Sequence, residues 1–194
     1  LLDVGMLLDT TRQWSWWSDR SQYGGMLQAM SSHLIDFLLW TFGDITHLSG
    51  RLDTFIRSRP TADGAQKEVT SDDANAALLK FASGASGLMY VSGVSRAQRS
   101  TLDAHGSAGS LSIEGNRLLA TTRPGGFEPV EVPAPDPQGP VVWMSAYLSH
   151  VAGVFAGQTD PDVATFEQGV RVQAVMDAIH QSSETGGSAV QIAS

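Results

Sequence analysis

A short segment near the N-terminus places an imidazole, a carboxylate and an indole at helical spacing. His33, Asp36 and Trp40 follow the pair Gly24-Gly25, and residues three or four apart share one face of a helix. Ala29 occupies the same face one turn before His33. Because an imidazole can accept or donate a proton under physiological conditions, His33 could serve as general acid or base on a substrate hydroxyl.

Each of these residues also has a structural explanation. A single histidine on a helix is more often a packed, hydrogen-bonded residue than a catalyst, and Asp36 could orient His33 or cap a neighbouring loop. His33 and Asp36 have the i, i+3 spacing of metal ligands, but two ligands do not make a site, so no metal is predicted. The aromatic loop before the helix could pack internally or offer flat surfaces to a sugar ring. We predict His33 as the catalytic residue and Asp36, Trp17 and Tyr23 as substrate-binding residues.

The elements that position this segment are a helix and a series of short strands. Apolar spacing predicts a helix over 26–42, with entry at Gly24-Gly25 and termination at Gly43-Asp44. Residues 11–23 and 58–72 are predicted as loops. Short segments separated by tight turns predict antiparallel strands, because parallel pairs need long crossovers. The predicted strands are 1–10, 46–56, 74–81, 87–94, 100–105, 111–114, 117–121 and 190–192.

The second half of the chain adds a proline-rich stretch and two helices. Six of the eight prolines lie between Pro124 and Pro140, which predicts a loop or an edge strand. Residues 141–157 are predicted to be helical. Thr165 and Gln168 form a capping box before another helix, which Gly186-Gly187 ends. Its predicted apolar stripe is Phe166, Val172, Val175, Met176 and Ile179. The predicted fold is α+β, one large antiparallel sheet with helices on one face.

Composition excludes several functions. The chain of 194 residues has no cysteine, which excludes disulfides and thiolate metal sites, and its net charge is −8 with only two lysines, Lys67 and Lys80. Nucleic-acid binding is therefore not expected. No apolar run is long enough to cross a membrane and no signal peptide is visible, so a cytoplasmic location is expected. No G-x-G-x-x-G follows a strand, so this chain alone is expected to bind no dinucleotide.

The start of the chain predicts a fragment. Residues 1–8 already form an apolar, strand-like run without an initiator Met. We therefore expect residues 1–194 to form a single domain whose preceding part is absent. A sheet with one uncovered face often buries that face against a second copy, which predicts a homodimer or a higher homo-oligomer.

Four segments carry a resemblance to a known family. Residues 24–36 resemble the G-G-x-L-x-D-x-G-x-H-x-x-D signature of the Gfo/Idh/MocA family of NAD(P)-dependent oxidoreductases. Residues 69–74 with 81–87, and residues 104–111, are similar to its "dDxa … f.nGa.g" strand pair and its "GtxGsl" turn. Residues 166–186 are similar to its closing helix, "sFedGl…ldAi..S.etG". The segments follow the family's order along nearly the whole chain.

The resemblance implies a fold, an activity and a division of labour. It implies the C-terminal substrate and oligomerisation domain, which is like that of glyceraldehyde-3-phosphate dehydrogenase. An absent N-terminal Rossmann domain would bind NAD or NADP and would carry the catalytic lysine of an E-K-P motif. Hydride would pass between the nicotinamide and a carbinol carbon of a sugar, cyclitol or similar compound. The family histidine corresponds to His33.

One position departs from the family signature. The acidic residue four before the histidine is Ala29 here, and the following glycine is Ser31. An alanine can neither accept a proton nor orient an imidazole, so the acid–histidine relay of the family is incomplete. This departure favours an alternative function, a family-derived module that dimerises or binds a ligand without redox activity.

Overall fold

The computed structural model describes residues 1–132, 140–161 and 163–192, without the side chains of 140–143 and 146. Its helices are α1 (Ser32–Phe42), α2 (Pro140–Phe155) and α3 (Phe166–Glu184). Its strands are β1 (Leu2–Asp3), β2 (Ile45–Asp53), β3 (Ser58–Pro60), β4 (Gln66–Glu68), β5 (Ala74–Phe81), β6 (Ser86–Ser92), β7 (Arg99–Gly106), β8 (Gly109–Glu114), β9 (Arg117–Thr121), β10 (Glu128–Pro129) and β11 (Val190–Gln191).

Nine of these strands form one sheet, in the order β10-β9-β8-β7-β1-β6-β5-β2-β11. Every neighbouring pair is antiparallel except β1–β6, which is parallel. The hairpin β3–β4 stands apart as a second, two-stranded sheet. The predicted α+β class with a large, mostly antiparallel sheet is confirmed.

The core lies between one face of the sheet and helices α1 and α3. Strand β5 shows the alternation, because Leu79 and Phe81 are buried while Leu78 and Lys80 are exposed on the other side. Helix α3 lies so close to β2 that a Cβ at Gly50 would be 3.1 Å from the Ile179 side chain. The absence of a side chain at Gly50 thus allows the helix to approach the strand. No helix in the described ranges has the length and apolarity that a bilayer crossing requires.

Two predictions about extended segments were wrong. The strand predicted over 1–10 is only two residues long. Beyond it, the N–H groups of Val4 and Leu7 still donate to the Ser92 and Gly93 carbonyls at 2.8 Å, but the regular ladder ends because carbonyls of this segment bond to a side chain. The buried guanidinium of Arg59 donates to the carbonyls of Leu7 and Asp9 at 2.6 and 2.7 Å. The loop predicted over 58–72 contains the hairpin β3–β4, in which Ser58 pairs with Glu68. The polar composition of this hairpin hid its strands.

The described residues of the C-terminal half agree with prediction apart from one residue. The capping box at Thr165 and Gln168 is present, with both reciprocal hydrogen bonds. Phe166 is 93% exposed and does not belong to the buried stripe, because its position at the first helical residue lies outside that face. Strand β10 is an edge strand, as the proline-rich composition allows, while residues 133–139 lie outside the described part of the chain.

Candidate functional site

The helix that carries His33 begins at a glycine that no other residue could replace without strain. Gly25 has φ +113°, and a Cβ there would lie 2.2 Å from Oδ1 of Asp72. A π-helical turn, Leu27–Ser31, follows and leads directly into α1. Such π turns occur frequently at functional sites because they re-aim the side chains around them. The predicted sharp entry at Gly24-Gly25 is confirmed.

A buried polar network fixes this entry. Oδ2 of Asp72 accepts hydrogen bonds from the Leu27 backbone N–H and from Nδ2 of Asn75, each at 3.0 Å. Ser31 then donates its hydroxyl proton to Oδ1 of Asn75 at 2.9 Å. All three polar side chains are buried. The start of the helix is therefore fixed to β5 and to the turn that precedes it.

The carboxyl group of Asp72 is electrostatically unusual. Burial raises its pKa from the ordinary value of 3.8 to about 6, although the hydrogen bonds from Asn75 and Leu27 act in the opposite direction. Its neighbour Asp73 accepts hydrogen bonds from the backbone N–H groups of Phe55 and Ile56 at 2.7–3.0 Å. The two adjacent aspartates thus hold two different segments, the helix entry and the turn after β2.

The outer face of α1 consists of His33, Asp36, Phe37 and Trp40. All four are exposed, whereas Ile35 and Leu39 on the opposite side are buried. The rings of Phe37 and Trp40 lie 6.0 Å apart at their centroids, and Trp40 is 67% exposed. The structure therefore presents an imidazole, a carboxylate and two aromatic rings together on one open surface. A hydroxylated ligand could receive hydrogen bonds and apolar contact there.

The other two predicted residues lie away from this face. Trp17 is half-buried against the core, with the Arg12 guanidinium 5.5 Å from its ring centroid. Tyr23 is 71% exposed and has a left-handed backbone, φ 59°. It lines a cavity of about 300 Å³ with Arg20, Gln28 and α3. On α3, His180 has a pKa lowered by burial and by the Arg20 charge.

Sequence reasoning missed Asp72, Asn75 and Ser31. The sequence prediction includes the Asp72-Asp73 pair only as part of a family motif, although Asp side chains often accept hydrogen bonds from nearby backbone N–H groups. Ser31 stands where the family signature has glycine, and its hydroxyl is used structurally. Ala29 is half-buried and contributes no polar group to the outer face.

Dinucleotide coenzymes are commonly bound by a strand–helix–strand unit with a glycine-rich first turn. Within the described ranges, the parallel pair β1–β6 is not a strand–helix–strand unit, since four further strands lie between β1 and β6 in sequence. No group of three His, Asp or Glu side chains that could hold a metal ion occurs in those ranges either.

Solved structures define the class of this fold. An NAD-binding oxidoreductase from Klebsiella pneumoniae superposes with a TM-score of 0.88 at 22% identity, over 100% of this chain and 57% of that one. Levoglucosan dehydrogenase in complex with NADH and L-sorbose superposes with a TM-score of 0.85 at 21% identity. The match covers 99% of this chain and 57% of that one. An oxidoreductase domain protein from Kribbella flavida superposes with a TM-score of 0.84 at 24% identity, over 98% of this chain and 57% of that one. The chain thus has a fold found within oxidoreductases.

The sequence then identifies the family. The family model described as GFO/IDH/MocA C-terminal domain matches residues 4–112, and the chain belongs to that family. An uncharacterized oxidoreductase of Synechocystis sp. is 30% identical over 118 residues, which are 59% of this chain and 32% of that protein. This chain therefore spans about a third of that relative and 57% of the three structures above.

Proposed function

We propose that this chain is the substrate-binding domain of an NAD(P)-dependent oxidoreductase that acts on a sugar, cyclitol or similar secondary alcohol or carbonyl. The observation that carries the proposal is the outer face of α1, where His33 and Asp36 are exposed beside Trp40. A domain outside residues 1–194 would hold the coenzyme, which supplies hydride chemistry when bound. Family membership and the levoglucosan dehydrogenase fold support this substrate class.

His33 is the residue we assign to proton handling. Its ring is exposed on a helix whose start is fixed by Asp72 and Asn75, so the imidazole is presented from a rigid base. An imidazole within hydrogen-bond reach of a substrate hydroxyl can accept the proton when the alcohol is oxidised and return it in the reverse reaction. Asp36, one turn further on, can accept hydrogen bonds from neighbouring hydroxyl groups.

The aromatic rings of the outer face suit a carbohydrate ligand. Phe37 and Trp40 offer adjacent flat surfaces, and aromatic rings pack against the C–H faces of sugar rings while polar groups bind the hydroxyls. Tyr23 and Trp17 remain proposed substrate-binding residues of lower rank, because they lie outside the outer face. Their contribution would require a ligand that extends toward the 11–23 segment.

A second function is favoured by one specific observation. Ala29 stands where the family signature has an acid, so no carboxylate on the π-helical turn can assist His33. A module that binds a polyol or dimerises without redox activity would tolerate this loss. The two functions differ in whether His33 governs turnover.

Steady-state kinetics of the full-length protein test the proposal. Oxidation of a panel of sugars and cyclitols is followed by the absorbance of the reduced nicotinamide, for wild type, His33→Ala and His33→Asn. Loss of general acid–base catalysis lowers kcat by about 10²–10⁴-fold, and we expect both variants to show it. The matched control is His105→Ala, which removes an exposed histidine bonded to Ser110 at the far side of the sheet. Absence of turnover in wild type would favour the non-redox module. An unchanged kcat in His33→Ala would instead remove the acid–base assignment of His33.

We also infer that the chain forms a homodimer through the uncovered face of the sheet. Leu78 on β5 and Leu88 on β6 are directly paired in register, and they are 61% and 72% exposed. Tyr90 extends this apolar surface along β6. Exposed apolar surface of this kind is a common feature of interaction sites.

A further inference from the structure

A cavity at the end of the sheet has a charge opposite to that of the chain. It has a volume of about 630 Å³ and lies where β2, β11 and the β5–β6 turn meet. Among the described residues that line it, Lys80 and His47 are the titratable ones and none has a carboxylate side chain. The chain as a whole carries a net charge of −8. This local reversal of charge is what a site for an anion requires.

An irregularity in β2 builds one wall of this cavity. The register with β5 shifts between Ile45 and His47, so Thr46 is the extra residue of a β-bulge. Adjacent side chains of a regular strand point to opposite faces. Here Thr46 and His47 both line the cavity, and their side chains approach to 3.2 Å between Oγ1 and Nδ1. Bulges re-aim side chains in this way and are frequent near binding sites.

The hydrogen bonds of this wall set the donors that face a ligand. The Thr46 hydroxyl donates to the Lys80 carbonyl at 3.2 Å, so its oxygen can accept a hydrogen bond from Nδ1 of His47 when that nitrogen carries a proton. The other ring nitrogen, Nε2, has no hydrogen-bond partner in the described ranges. When the imidazole is protonated, Nε2 becomes a second cationic donor.

Lys80 supplies the fixed positive charge. Its Nζ donates to the Gly84 carbonyl at 2.5 Å and lies 3.4 Å from the Ser86 hydroxyl. These contacts hold the ammonium group at the β5–β6 turn, and at least one of its three protons remains available. The carboxylate of Asp44, just before β2, is paired with Arg171 at 2.7 Å, and no ion pair of Lys80 occurs among the described residues. The lysine charge is therefore not neutralised by a carboxylate in the described structure.

We propose that this cavity binds the oxyanion of a small organic phosphate or carboxylate. Lys80 and His47 would provide charge-assisted hydrogen bonds, and the amide of Gln191 on β11 would add a neutral donor. Phe81 and Ile192 give an apolar wall for the organic part of the ligand. The volume lies within the range of small-molecule sites, about 300–1,000 Å³. This site is separate from the outer face of α1 and does not rest on the proposed oxidoreductase function.

Titration calorimetry of the 194-residue chain tests the proposal with three probes, inorganic phosphate, gluconate and glucose. We expect phosphate or gluconate to bind at low ionic strength and uncharged glucose to bind no tighter than buffer controls. Lys80→Gln should lower the affinity for the anion by at least about tenfold, since it removes a charge-assisted hydrogen bond. Phosphate against gluconate reports which class of oxyanion is preferred.

The sequence provides a matched control in its other lysine. Lys67→Gln makes the same change in net charge, but Lys67 lies over the ring of Trp14, 3.2 Å from its centroid. It should leave anion affinity unchanged within about twofold, because only long-range attraction is lost. Equal weakening by both lysine variants, or no anion binding in wild type, would overturn the site. If Lys80→Gln unfolds, His47→Gln provides a second variant. It should also weaken anion binding, whereas Lys67→Gln should not.

Discussion

Asp72 is the residue on which the candidate site most depends, because its buried carboxyl group holds the start of the helix that carries His33. It accepts the Leu27 N–H at the start of the π-helical turn and lies against Gly25, which has no side chain to displace it. Holding an ionised carboxylate there is costly, because burial raises its pKa to about 6. This unfavourable burial occurs where Asp72 holds the start of the His33 helix.

Asp72→Asn should therefore change how stability depends on pH. The folded pKa of about 6 exceeds the ordinary value of 3.8, so between these values the folded state binds more protons than the unfolded state. The contribution of Asp72 to stability is fully present below about pH 4 and is lost as pH rises through 6, by about 3 kcal/mol. The asparagine variant lacks this loss.

Denaturant unfolding from pH 4 to pH 8 measures the effect. The difference in unfolding free energy between Asp72→Asn and wild type should move in favour of the variant as pH rises. The exposed Asp36→Asn, on α1, makes the same change in charge without removing a buried carboxylate. If the two variants show parallel pH dependence, Asp72 is not the group responsible.

At the scale of elements, the final helix completes the hydrogen bonding of a strand. Strand β11 pairs with β2 only at His47 and Leu48. Further along β2, the N–H groups on that edge therefore have no strand partner, while the opposite edge pairs with β5. Near the end of α3, the Ser182 hydroxyl accepts a hydrogen bond from the Gly50 N–H at 2.8 Å. The Ser183 hydroxyl accepts one from the Leu52 N–H at 3.0 Å. Two serine hydroxyl groups therefore replace a missing length of strand.

Removing one of these hydroxyls should destabilise the protein by an amount that reflects burial. Ser182 is fully buried and also donates to the Ser188 carbonyl at 2.6 Å. Ser182→Ala leaves both backbone groups unsatisfied and should cost about 2–3 kcal/mol of unfolding free energy. Ser183→Ala, at a part-buried position, should cost about 1 kcal/mol. Equal losses in chemical denaturation would mean that burial of the hydroxyl is not what matters.

The elements also show what the sequence could and could not predict. The helix at 26–42 and the strand at 74–81 were predictable because their apolar residues follow one period and clear turn residues bound them. The hairpin β3–β4 was not, because its strands are polar and gain their stability from Arg59 and from contacts with Trp14. Helical spacing placed His33, Asp36 and Trp40 on one face, but it did not indicate that Phe37 lies beside Trp40. The Asp72–Asn75–Ser31 network depends on contacts between residues distant in sequence, which no local pattern encodes.

At the scale of the whole molecule, the sheet has two unequal faces. One is covered by α1 and α3, and the other presents Leu78 and Leu88 to solvent in the described structure. The candidate chemistry lies on the helical side, on the outer face of α1. The other side is thus available for association without obstructing His33, and a stable dimer would need to bury about 800 Å² on each partner.

Leu88→Asp should convert a dimer of this chain into a monomer. A carboxylate placed at the centre of the uncovered face would be buried opposite its copy without a partner, which should raise the dimer dissociation constant by at least about tenfold. Light scattering coupled to size exclusion, over a range of concentrations, measures the mass. Phe166→Asp is the matched control, because Phe166 is 93% exposed at the start of α3, away from that face. A monomeric wild type would contradict the dimer itself. Dissociation by Phe166→Asp instead of Leu88→Asp would place the interface elsewhere.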